Sequence, residues 1–98
     1  MSEAINFEQL DVGSGAVQGL DVSKYEQPGG AANKAFISVT TLAVNVRFDG
    51  VDPTTTEGHK VSPDTGFLVL TSYEEIRAFR MIGLIASTAK VSISYFRD

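Results

Sequence analysis

The last ten residues, "AKVSISYFRD" at positions 89–98, constrain the fold more than any other stretch. Val91, Ile93 and Tyr95 alternate there with lysine and serine. A strict two-residue period places apolar side chains on one face of a strand and polar ones on the other. The stretch therefore predicts a terminal strand whose apolar face packs against a second layer of the protein.

Three further segments also predict strands. "AFISVTTLAVNVRF" (35–48) is rich in β-branched residues, and its second half alternates apolar with other side chains. The two threonines at 40 and 41 indicate a bend or bulge between two strand segments, with one long strand as the alternative. "FLVLT" (67–71) and "FRMIGLIA" (79–86) are short apolar runs of the kind found in strands.

One short helix is predicted near residues 72–78. "SYEE" (72–75) matches a capping box, in which the Ser72 hydroxyl accepts from the Glu75 backbone and the Glu75 carboxylate reaches back. The helix must be short because Gly83 and the apolar residues around it favour a strand.

This order of elements predicts an all-β fold, either a small antiparallel β-sandwich or a jelly-roll-like barrel, with one short helix. Residues 35–98 are expected to form the β-sandwich core. Residues 1–34 are glycine-rich and predict a loosely structured N-terminal arm with one or two short strands, or a flexible linker. At 98 residues the chain is one domain overall.

Composition excludes several classes of function. The formal charge of −4 and pI near 4.8 oppose binding to a nucleic-acid backbone. The absence of cysteine excludes disulfides, thiol nucleophiles and Cys-ligated zinc. No stretch resembles a signal peptide or approaches the roughly 20 apolar residues that span a bilayer, so we expect a chain made soluble in the cytoplasm, without a membrane partner.

The segment "VRFDGVDPTTTEGHKV" (46–61) is the most motif-like part of the chain. Its Asp-Gly and Asp-Pro steps are typical of a turn. The functional alternative is a calcium site made by Asp49, Asp52 and Glu57, although their spacing is not that of an EF-hand. We predict that this loop is structural and metal-free.

His59 is the only histidine of the chain. As a general base it would need an orienting carboxylate and a nucleophile, and the chain contains neither a GxSxG motif nor a cysteine. The structural interpretation is a histidine at a strand start, bonded to a loop carbonyl. No catalytic, cofactor-binding or metal-binding residue is assigned, and the chain is predicted not to be an enzyme and to need no cofactor.

Four aromatic residues could form a sugar-stacking platform or belong to the core: Tyr73, Phe79, Tyr95 and Phe96. Without tryptophan, and with Phe79 close to Met81 and Ile82, the core is the favoured interpretation. A Glu74–Arg77 pair at i,i+3 is expected to be a surface ion pair.

The order "VRFDG", "DPT", "GH", "LVLTSYEEIRAFRMI" and a terminal "AKVSISYF" resembles a group of small tailed-bacteriophage virion proteins. The resemblance covers residues 35–96. It implies a β-sandwich that acts as a decoration or cement protein on the capsid, with the neck as a second location. It implies no catalytic residue.

The implied partners are the major capsid protein or other virion proteins, and the implied location is the virion. Copies arranged around a capsid site would be related by rotation, so a homo-oligomer is expected. A carbohydrate-binding or adhesion module is the alternative function, and a small enzyme is a third.

Overall fold

The computed structural model describes residues 3–84 and 88–97, and these residues are mostly β. Two short helices are present, α1 (Val22–Tyr25) and α2 (Tyr73–Ala78). The strands are β1 (Glu3–Val12), β2 (Gln18–Gly19), β3 (Glu26–Gln27), β4 (Gly30–Ala31), β5 (Lys34–Thr41), β6 (Val44–Arg47), β7 (His59–Val61), β8 (Leu68–Leu70), β9 (Arg80–Gly83) and β10 (Ala89–Arg97). No helix among the described residues is long and apolar enough to cross a membrane.

Two four-stranded antiparallel sheets form the body of the protein. Sheet A has the order β1-β10-β5-β8, and sheet B has the order β2-β9-β6-β7. Strands β3 and β4 form a separate two-stranded sheet. The high strand content and the antiparallel sheets confirm the prediction of a small all-β fold. Over residues 3–84 and 88–97 neither large sheet closes into a barrel.

The predicted terminal strand is confirmed as β10, the second strand of sheet A. Val91, Ile93 and Tyr95 are fully buried, as their two-residue period requires. Serines 92 and 94 lie on the opposite, outer face. β10 pairs with β1 on one side and β5 on the other, so its register sets which side chains of those strands point inward.

The segment 35–48 is divided in two, as the threonines indicated. The register of β5 against β10 shifts between the Val39–Val91 and Thr41–Lys90 pairs, which marks a bulge at the paired threonines. Leu42 follows with a φ of 63°, and the chain then enters sheet B as β6. One continuous sequence pattern therefore supplies a strand to each sheet.

One hydrophobic cluster draws on both large sheets. From sheet A it takes the inward residues of β1, β5, β8 and β10, and from sheet B those of β6, β7 and β9. Leu20, Tyr25 and Ala32 of the N-terminal third belong to the same cluster. The hydrophobic core therefore includes residues from both the predicted arm (1–34) and the predicted core segment (35–98).

The expectation of a loosely structured arm is wrong for residues 3–12. They form a ten-residue strand that pairs with β10 from Glu3–Arg97 to Val12–Ala89. The two-residue alternation of β1 is not evident in the sequence because a charged residue, Glu8, occupies an inward-facing position, where it is only 7% exposed. Its carboxylate accepts hydrogen bonds from the buried Tyr95 hydroxyl and, at 3.3 Å, from the backbone N–H of Asp21.

The predicted helix is confirmed as α2, with one change in its cap. Ser72 is the N-cap, and its hydroxyl accepts from the Glu75 N–H at 3.1 Å. The Glu75 carboxylate accepts from the Thr71 N–H at 2.8 Å, one residue earlier than a capping box requires. The strand expected after the helix is β9, while Ile85 and Ala86 of that prediction lie outside the described residues.

The buried Tyr95 predicts how stability responds to alkaline pH. Burial, followed by the hydrogen bond to Glu8, raises the pKa of Tyr95 above its ordinary value of about 10. The folded state therefore keeps a proton that the unfolded chain releases, and stability present below about pH 10 is lost as pH rises further. Each such proton contributes a slope of about 1.4 kcal/mol per pH unit.

Urea unfolding between about pH 9 and about pH 12 measures this slope. The stability of the Tyr95→Phe variant should decline less steeply with pH than that of the wild type, by the slope of about one proton. The variant is less stable at neutral pH because the Glu8 carboxylate loses one of its two donors. An equal slope in the two proteins would show that Tyr95 ionises as readily in the folded state as in the unfolded chain.

Candidate interaction surface

The loop at residues 48–58 connects β6 to β7 and is held by its own hydrogen bonds. Gly50 has a φ of 82°, as expected for the Asp-Gly step. The Thr54 hydroxyl accepts from the Glu57 N–H at 2.9 Å, and the Thr54 carbonyl accepts from the Asn45 side chain at 2.9 Å. Pro53, within the loop, has a buried side chain. These contacts give the loop a defined shape without a ligand.

The carboxylate of Asp49 is engaged by Arg47. The guanidinium donates from Nε at 3.1 Å and from Nη2 at 2.5 Å, a two-point ion pair. This hydrogen bonding lowers the pKa of Asp49. Among the described residues no group of three or more histidine, cysteine, aspartate or glutamate side chains is arranged to hold a metal ion. A calcium site at Asp49, Asp52 and Glu57 would have to displace Arg47.

His59 begins β7, which is the strand start that the sequence predicted, but over residues 3–84 and 88–97 its ring makes no hydrogen bond to a loop carbonyl. Its ring stacks on Phe48, with centroids 5.6 Å apart and planes inclined by 15°. The two rings line a cleft of about 370 Å³ together with Arg47, Asp49, Glu57 and Gly58. The stacked ring explains the position of His59 by packing and requires no catalytic partner.

The four aromatics considered as a sugar platform separate in the structure. Phe79 and Tyr95 are fully buried, which confirms the core interpretation for both. Tyr73 donates a 2.6 Å hydrogen bond to Glu26 and packs edge-on against Tyr25. Phe96 follows Tyr95 on β10 and points to the opposite side, onto the outer face of sheet A. The four rings do not share one surface.

A different set of apolar residues does share a surface, the outer face of sheet A. The strand register places Phe7, Ser94, Phe36 and Val69 in one row across β1, β10, β5 and β8. The large side chains of this row are 55%, 40% and 42% exposed. Phe67, next to β8, is 70% exposed.

The rings on this face contact one another. Phe36 lies 5.1 Å from Phe96 and 6.0 Å from Phe67 between ring centroids, with the planes tilted by 50° and 43°. We call the set Phe7, Phe36, Phe67, Val69 and Phe96 the aromatic face. Four of the six most exposed large hydrophobic residues in the described chain belong to it.

Polar side chains adjoin the aromatic face. The next row along the sheet contains Gln9, Ser92 and Ser38, and the Gln9 amide donates to the Ser92 hydroxyl at 3.1 Å. Beyond it Lys90 and Asp11 face each other 3.9 Å apart. The centre of the outer face is therefore uncharged in a chain of formal charge −4.

Sequence reasoning did not identify this surface, although a signal for part of it was present. In "KAFISVTT" the buried positions are Ala35, Ile37 and Val39, so Phe36 is the one large apolar residue out of phase. An out-of-phase phenylalanine indicates a contact on the second face of a strand. Phe7 was missed because the alternation of β1 was not recognised.

The chain was compared with protein-family models, with curated proteins and with solved structures, and none of them matches it.

Proposed function

We propose that this chain is a non-catalytic structural protein of a tailed-bacteriophage virion that binds the capsid surface as a decoration or cement protein. The neck is the second location. The resemblance of residues 35–96 supports the virion, and the aromatic face supports binding to another protein. In this proposal the occupant of the aromatic face is the surface of the major capsid protein.

The exposed aromatic face is the observation that carries the proposal. With about 200 Å² of surface for each phenylalanine, its members leave roughly 400 Å² of apolar surface in water. The largest apolar patch on a typical soluble monomer covers about 300–600 Å² and is often a functional surface, and the aromatic face falls in that range. A standard protein interface covers about 800 Å² on each partner, so the aromatic face by itself supplies about half of that area.

The proposed architecture is a β-sandwich, with sheets A and B packed face to face. The single hydrophobic cluster shared by the two sheets supports it. In that arrangement sheet B covers the inner face of sheet A, and the aromatic face is the opposite side, free to contact the shell. Copies placed around a capsid symmetry axis would form a cyclic homo-oligomer.

Charge and geometry favour a protein partner over the alternatives. A chain of formal charge −4 repels the phosphate backbone of DNA. Sugar rings stack on exposed aromatic planes, whereas the rings around Phe36 are inclined to one another by 43° and 50°. Phenylalanine rings that are tilted against one another on the face of a sheet are instead typical of the closely packed aromatic side chains in protein interfaces.

The test is co-sedimentation of the purified protein with empty capsid shells of the phage whose genome encodes it. A DNA gel shift and a polysaccharide column run alongside. We expect the protein to sediment with the shells and to ignore DNA and polysaccharide. Failure to sediment, with retention on the column or a shift of DNA, would contradict the virion proposal.

A further inference from the structure

A second site lies away from the aromatic face, where the end of α2 meets β2 and α1. A cleft of about 410 Å³ is lined there by Gly19, Leu20, Val22, Tyr25, Glu26, Arg77 and Arg80. We propose that this cleft binds one carboxylate group, carried by an acidic side chain or chain terminus of a protein partner, through Arg77 and Arg80.

Within the described part of the chain, Arg77 and Arg80 differ from the other two arginines in forming no ion pair with a carboxylate. Arg47 is paired with Asp49, and Arg97 is paired with Glu3 at 2.6 Å. Within residues 3–84 and 88–97 neither Arg77 nor Arg80 forms an ion pair. The surface ion pair expected between Glu74 and Arg77 is therefore not formed.

Arg80 is held in place by the backbone. Its Nη1 donates to the carbonyls of Arg77 at 3.0 Å and Phe79 at 2.7 Å, at the C-terminal end of α2. A Cβ atom at Gly19 would lie 3.0 Å from Nη1, so the absence of a side chain at Gly19 makes room for the guanidinium. In the described chain no hydrogen bond uses Nε or Nη2 of Arg80, which leaves a fixed pair of donors.

Such a pair of donors matches the two oxygens of a carboxylate. Arg77 is exposed and its side chain makes no hydrogen bond within the described residues, so it can turn toward the same ligand. The positive charge of both guanidiniums is felt inside the cleft at Tyr25. Burial raises the pKa of Tyr25, and the charges of Arg80 and Arg77 partly offset that rise.

Charge and lining select a single carboxylate over a polyanion. Two guanidiniums and the Glu26 carboxylate leave one positive charge in the cleft, which one negative charge neutralises. Glu74 lines a second cleft that shares Arg77 and Arg80, and its carboxylate adds repulsion against a more highly charged ligand. Leu20, Val22 and Tyr25 offer apolar contacts to the carbon skeleton that carries the carboxylate.

The test is a titration of the purified protein with benzoate, acetate and inorganic phosphate, followed by NMR of backbone amide and arginine Nε–H signals. Benzoate should shift the signals of Gly19, Arg77 and Arg80 at millimolar concentration, more strongly than acetate, and phosphate should bind more weakly than benzoate. Arg77→Gln and Arg80→Lys should each reduce benzoate affinity by about tenfold, because each removes or misplaces a donor pair.

Arg97→Gln is the matched control, since Arg97 is already paired with Glu3. It should bind benzoate as the wild type does. Arg77→Gln keeps the test decisive if Arg80→Lys fails to fold, because the Arg77 side chain supports no backbone contact. Any of three results would overturn the proposal. They are a loss of benzoate affinity in Arg97→Gln equal to that in the cleft variants, tighter binding of phosphate than of benzoate, and no shift of the Gly19, Arg77 and Arg80 signals.

Discussion

Deleting residues 1–12 should unfold the protein. The deletion removes β1, which pairs with β10 at nine positions. It also removes buried Val12 and the Glu8 carboxylate that the Tyr95 hydroxyl requires. A buried apolar side chain contributes about 1.5–3 kcal/mol, and an unsatisfied buried polar group costs about 1–3 kcal/mol. With the lost strand pairing, these effects approach the 5–15 kcal/mol that typically stabilise a domain.

Circular dichroism and urea melting measure this outcome. We expect the shortened chain to lack a cooperative transition. Phe7→Ser is the control, because Phe7 lies on the same strand with its side chain 55% exposed, and it should melt close to the wild type. A cooperative melt of the shortened chain would instead support the prediction that residues 1–34 are a loosely structured arm.

Gly83→Ala should be the most damaging of the small substitutions. Gly83 on β9 lies against the end of β1, and its N–H donates to the Gly13 carbonyl at 3.0 Å. A Cβ atom there would lie 2.8 Å from the Val12 carbonyl oxygen and 2.9 Å from the Gly13 carbonyl carbon. Both contacts are with backbone, so the strands must separate at the point where sheets A and B meet. We expect a loss of about 1–3 kcal/mol in the free energy of unfolding.

Gly13→Ala is the matched control for this prediction. A Cβ atom at Gly13 meets nothing within 4 Å. Its φ lies outside the left-handed region, so alanine there should be neutral or slightly stabilising. Denaturant melts of the two variants decide the matter. Equal stability of Gly83→Ala and the wild type would mean that β1 and β9 are not in close backbone contact.

The parts of the fold that sequence predicted have local signals. β10 carries its own two-residue period, and α2 carries its cap at Ser72. The bulge at Thr40 and Thr41 follows from two β-branched polar residues at the end of an alternating run. In each case the residues that specify the element lie within that element.

The parts that sequence missed depend on distant partners. Glu8 points inward because Tyr95, 87 residues away, supplies a buried donor. Without that knowledge a glutamate at a core position makes β1 look irregular. The aromatic face was missed for the same reason. Alternation in the sequence divides the side chains of a strand between two faces, but only the tertiary structure shows that the face with Phe36 is left uncovered.

The central claim is that the aromatic face is the surface by which this protein binds a larger assembly. The most direct measurement compares shell co-sedimentation of two variants. Phe36→Ser with Phe67→Ser removes exposed rings from the aromatic face, whereas Val51→Ser removes an apolar residue of comparable exposure that lies outside both the aromatic face and the arginine cleft. We predict that the first variant loses binding by about 30-fold or more, as expected when interface anchors are removed, and that the second binds as the wild type does. Wild-type binding by a folded Phe36→Ser, Phe67→Ser protein would contradict the claim.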